Sequence, residues 1–61
     1  MIALFVLSTD ELATFSKDVP DDRPETLRAV LAAEGFTPDD VHEVFVTDGD
    51  LAVKGPAYLT P

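Results

Sequence analysis

A chain of 61 residues with no cysteine has to hold together around one small apolar core, without disulfides or a thiolate-bound metal. At this length folding removes only about 60% of the extended chain's surface from water. The sequence is therefore read as a single domain, residues 1–61, with a narrow margin of stability. A hydrophobic content of 46% with four Phe is enough for such a core, so the chain is not disordered by composition despite its charge. The apolar run Met1 to Leu7 is too short to cross a bilayer and lacks the basic start and cleavage site of a signal peptide. With the lack of cysteine, this leads to the expectation of a complete, soluble, cytoplasmic product beginning at its own Met.

Local signals place the elements. Ile2-Ala3-Leu4-Phe5-Val6-Leu7 is rich in strand formers and reads as a strand central in a sheet or buried on both faces. Ser8 and Glu11 have capping-box spacing, with Asp10 and Glu11 suited to a first turn. A short helix is therefore expected there, with Leu12, Phe15 and Val19 as its stripe and its end at Val19-Pro20. A second helix, roughly Arg23 to Glu34, follows from Asp22 as cap, Pro24 in the first turn and Leu27, Val30 and Leu31 at helical spacing. Gly35 supplies a left-handed ending, with Phe36 folding back on the last turn. Thr37-Pro38-Asp39-Asp40 starts one more short turn. Val44 to Thr47 and Leu51 to Val53 read as strands joined by a two-residue hairpin at Asp48-Gly49, and Ala57-Tyr58-Leu59 either packs back or adds an edge. The order strand, helix, helix, hairpin predicts an α+β fold, with a three-stranded, largely antiparallel sheet and helices on one face.

Against that ordinary scaffold the charge stands out. Twelve acidic residues face four basic ones, for a net charge of −8. Asp18, Asp21, Asp22 and Glu25 surround the start of the second helix; Asp39, Asp40 and Glu43 surround the short turn; Asp48 and Asp50 flank the hairpin. Capping and turn chemistry explain individual positions. They do not explain why only Lys17, Arg23, Arg28 and Lys54 offset the set, since surfaces ordinarily interleave both signs. Such a field repels nucleic acid and anionic membrane and attracts basic surfaces. Residues three or four apart on a helix have side-chain roots about 5–6 Å apart. Asp21, Asp22 and Glu25, and likewise Asp39, Asp40 and Glu43, have spacing of that kind and so suit a basic groove built for nucleic-acid phosphates. The expected partner-binding residues are these six, with Asp48 and Asp50 next.

In size, charge and layout over its whole length the chain resembles the small acidic inhibitors made by bacteriophages and mobile elements, among them DNA mimics and anti-CRISPR proteins. No motif carries the resemblance. It implies a bacterial nucleic-acid-processing complex as partner, such as a CRISPR effector subunit, blocked by occupation of its basic surface. Two other readings use the same residues. One is a self-associating regulatory module whose apolar first or last strand pairs across a two-fold; across the readings the chain is expected as a monomer or a homodimer. The other is acidity that serves solubility, as in a halophile.

Chemistry is poorly represented. His42 is the only histidine, and its acidic neighbours make a surface histidine more expected than a metal ligand. Asp48-Gly49-Asp50 lacks the pattern and terminal Glu of a calcium loop. No spacing suggests a Ser or Thr activated by His42, and Gly35, Gly49 and Gly55 are isolated, without a phosphate-cradling loop. The Phe residues at 5, 15, 36 and 45 read as core. The expectation is a binding protein with no enzymatic activity, metal, cofactor, direct nucleic-acid contact or membrane contact.

Overall fold

The computed structural model describes residues 1–9 and 13–60. Its centre is a four-stranded antiparallel sheet in the order β2-β1-β3-β4, from β1 (Ile2–Leu7), β2 (Thr14–Asp18), β3 (Val41–Asp48) and β4 (Asp50–Lys54). One ten-residue helix, α1 (Pro24–Ala33), a 3₁₀ turn (Pro38–Asp40) and a single-turn helix, α2 (Pro56–Leu59), complete it. The α+β class and the antiparallel sheet agree with the sequence reading, but the sheet has a fourth strand.

That strand is β2, which takes the place of the Thr14–Asp18 part of the helix expected after Ser8. The capping signals at Asp10, Glu11 and Leu12 lie outside the described residues. Phe15 is not on a helical stripe: it sits directly opposite Phe5 in the β1–β2 register, with ring centroids 4.8 Å apart and nearly parallel. The central strand offers a full row of backbone partners and a ring to stack on, and that non-local gain overrides a weak local helix preference. Val19 reaches the core, as expected, but from the end of a strand, where its amide donates to the Met1 carbonyl.

The helix of greatest regularity forms where the sequence places it. Pro24 occupies its first turn, and Arg23, not Asp22, is the N-cap, with no side-chain cap. Asp21 instead accepts a hydrogen bond from the Arg23 amide at 3.0 Å. At the other end Gly35, at φ 88°, donates to Ala32, and the Phe36 amide reaches the Leu31 carbonyl. This is the paired closure that a left-handed glycine permits. It turns the Phe36 ring onto Phe15 at 5.9 Å, extending the Phe5–Phe15 stack. α1 runs across the strands. Tyr58, just after β4, donates to the Asp22 carbonyl before α1, and Glu34 just after α1 pairs with Lys17 on β2, the opposite edge.

β3 starts at Val41, earlier than the expected Val44, so His42 and Glu43 are strand residues. The β3–β4 hairpin pairs symmetrically about Gly49, also at φ 88°, instead of turning on an Asp48-Gly49 pair. Beyond it Ala57-Tyr58-Leu59 packs back and adds no edge: Leu59 is fully buried, and the Lys54 ammonium lies 4.6 Å from the Tyr58 ring centroid. One core cluster results, joining Ala3, Phe5, Leu7, Val41, Val44 and Val46 of the sheet to Leu27, Leu31, Leu59 and Val19.

Candidate functional site

Strand alternation divides the sheet's side chains between two faces. Ala3, Phe5 and Leu7 face the helices with Val44 and Val46. Ile2, Leu4 and Val6 point the other way, opposite Thr47, Phe45 and Glu43 on β3 and Asp18, Ser16 and Thr14 on β2. Leu51 and Val53 of β4 continue that side by pairing with Thr47 and Phe45. No described element covers this second face. Ile2 is 43% exposed, Leu51 64% and Val53 54%. A shallow groove of about 560 Å³ runs over it, lined by Ile2, Leu4, Ser16, Phe45, Thr47 and Leu51. β1 is thus central, as read from the sequence, but buried on one face only, and Phe45 belongs to the open face and not to the core.

The charges are sorted by the same geometry. Lys17 pairs with Ala3 and Lys54 with Val44, which puts both on the helix side, and Arg23 and Arg28 belong to the cap and body of α1. All four bases of the chain are therefore away from the open face. Each also has an internal partner: Lys17 the Glu34 carboxylate at 2.7 Å, Arg23 the carboxylates of Asp21 and Glu25 at 3.6 and 3.7 Å, Arg28 the Leu59 carbonyl at 3.0 Å, and Lys54 the Tyr58 ring.

The eight acids singled out from sequence separate into two groups. Three have local structural work. Asp21 accepts from the Arg23 amide, and Glu25 shares the Arg23 guanidinium with it. The Asp40 carboxylate reaches back to the amide and hydroxyl of Thr37 at 2.9 and 3.2 Å, closing the 3₁₀ turn. The Thr26 side chain, then the Arg23 amide and its neighbouring charge, hold the Asp21 carboxyl below its ordinary 3.8. Among the described residues, Asp22, Asp39, Glu43, Asp48 and Asp50 form no ion pair with a base.

The helical spacing argument does not survive. Of the eight only Glu25 lies in an α-helix: Asp21 and Asp22 precede α1, Asp39 and Asp40 form a 3₁₀ turn, and Glu43 is on β3 facing the open side. Nor do the clusters merge. Asp40 precedes β3 and Asp48 ends it, roughly 26 Å apart at about 3.3 Å per residue. They lie at the two ends of the sheet, Asp18, Asp48 and Asp50 at one and Asp39, Asp40 and Glu43 at the other. Glu43 and Asp18 border the open face at opposite corners of it, and Asp48 faces Asp50 across the hairpin tip.

The open face itself was missed by reading element by element. Its signal was present: β1 is apolar at both parities, yet the chain offers one substantial helix to cover it, and Leu51 and Val53 alternate with Asp50 and Lys54. Among the described residues no group of three His, Asp or Glu side chains converges to hold a metal, and no helix is long and apolar enough to cross a membrane. Comparison with protein-family models, with curated proteins and with solved structures gives no match to this chain.

Proposed function

We propose that the chain is an acidic docking protein without chemistry of its own, which occupies a basic surface of the kind a nucleic-acid-processing complex presents and blocks it. The observation that carries this reading is the segregation of charge. Every base is engaged on the helix side, while Asp18, Asp22, Asp39, Glu43, Asp48 and Asp50 keep uncompensated charge on the perimeter and the open face. A surface arranged for stability would not set Asp48 directly opposite Asp50, because like charges paired across strands are destabilising. Turn chemistry favours the first of them beside Gly49 and gives no reason for the second. The uncompensated field steers the molecule toward cationic surfaces and raises encounter rates in a salt-dependent way.

Capture from a bacterial lysate on the tagged chain, eluted first with salt and separately with duplex DNA, tests this. The expected result is a nucleic-acid-binding protein that leaves as salt rises and is displaced by duplex DNA. The double reversals Asp48→Lys with Asp50→Lys, and Asp22→Lys with Asp39→Lys, should each weaken its capture. A partner indifferent to salt and to DNA, or capture unchanged in both reversals, overturns the reading.

A further inference from the structure

The open face of the sheet has the composition of a core layer, and none of the described elements lies on it. Its counterpart on the other side is closed by one helix lying across the strands, which inserts Leu27 and Leu31, with Leu59 alongside. The open face presents Ile2, Leu4, Val6, Phe45, Leu51 and Val53 at matching alternate positions. A sheet apolar on both faces is completed by a layer on each. Four strands spaced about 4.8 Å span roughly 14 Å, and a helix with its side chains is about 10–12 Å across. One helix laid along the strands therefore fills the available width.

The sign of the occupant follows from what borders the groove. Asp18 stands beside Ile2 at one corner and Glu43 beside Val6 at the other, and no Lys or Arg of the chain lies on this side. A second copy seated face to face would bring four carboxylates to one apolar interface with no base to answer them, and it would join two bodies of net charge −8. An amphipathic helix whose apolar stripe is flanked by Lys or Arg satisfies both the apolar floor and the acidic corners. We infer that the open face, floored by Ile2, Leu4, Phe45 and Leu51, is a docking groove for a basic amphipathic helix of a partner protein. The inference rests on the docking reading above for the sign of the partner, and it moves the main contact from the perimeter to the sheet.

A synthetic Leu/Lys peptide of about 18 residues, long enough to be helical in isolation, is the probe, with Leu at helical spacing and one Trp on the apolar stripe. The protein has no Trp, so the peptide's emission reports burial alone. Saturable binding with a blue-shifted emission is expected. The pair Leu51→Ser with Val53→Ser should weaken it by about tenfold or more, Glu43→Gln by a few-fold, and Ala32→Ser on the exposed side of α1 should leave it unchanged. Both serine replacements are at exposed positions, and a circular dichroism melt of each variant confirms that it is folded. The inference is overturned by the absence of saturable binding, by a Leu/Glu peptide of the same spacing binding as tightly, or by unchanged binding in the serine pair. It is equally overturned if sedimentation shows a dimer of the chain that the serine pair dissociates. Neither duplex DNA nor the perimeter reversals enter this titration, so its failure is separable from failure of the broader docking reading.

Discussion

The two faces of the sheet are made from the same strands and nearly the same residue types, yet one is sealed and the other bare. On the helix side Phe5 stacks on Phe15, Phe15 on Phe36, and Leu27, Leu31 and Leu59 close the layer with no exposure. On the other side Leu51 and Val53 are more than half exposed. Apolar surface is common on small proteins, but side chains grouped on one flat face are different from the same number scattered singly. The first face supplies the buried core on which the fold rests, and the second is left largely exposed to solvent.

Substitutions put that division at risk in order of expected effect. Phe5→Ala on the sealed face should cost about 3–5 kcal/mol, removing a buried ring and leaving a cavity. In a domain this small that loss is comparable with the whole stability, and the far-ultraviolet dichroism melt should shift drastically or vanish. Gly35→Ala forces a side chain into a left-handed backbone and should cost about 1–2 kcal/mol by chemical denaturation. The added methyl meets no atom within 4 Å, so a larger loss would point to a failure of the Phe36 stack. Asp50→Lys places opposite charges across the hairpin tip and should gain about 0.2–1 kcal/mol; this gain in stability should accompany a loss in docking. Leu51→Ser on the bare face should change stability by no more than about 0.5 kcal/mol. A cost of several times that would mean the face is covered in solution, and the contrast between the two faces would collapse.

The smallest effect concerns pH. The Asp21 carboxyl has a folded-state pKa below 3.8, so its ionised form stabilises the fold fully above that value, and the contribution is lost as pH falls through the lowered folded value. Thermal melts of Asp21→Asn should lie below those of the parent at neutral pH, and the gap should narrow as pH drops under 3.8. A gap that does not change with pH would assign Asp21 no ionic role at the entry to α1.

What was legible in the sequence was local. The span of α1, its glycine closure and the brevity of the turn at Pro38 follow from fixed backbone preferences and hydrogen bonds only a few residues apart. What was not legible depended on distant pairing. Thr14 to Asp18 becomes a strand because β1 supplies its partner and Phe5 supplies a ring for Phe15. For the same reason the acids could be counted but not placed. Glu43 is a sequence neighbour of Asp39 and Asp40, but β3 begins at Val41 and turns it to the open face. The bare face is a property of the assembled sheet, since it depends on how few helices are left to cover two apolar sides.

The strand order carries a consequence for how the chain assembles. β1 precedes the other strands in the chain, but its central neighbour is β3, and Ala3 must wait for Val46. The β1–β2 and β3–β4 hairpins are each closed by short connections and can form early, whereas joining them through β1 and β3 closes most of the chain into one loop. Non-local closure of this kind slows folding relative to helical domains of equal size. Until it is complete, the nascent protein carries an apolar first strand with an unpaired edge, and the dense negative charge along the rest of the chain helps keep such half-made copies from associating.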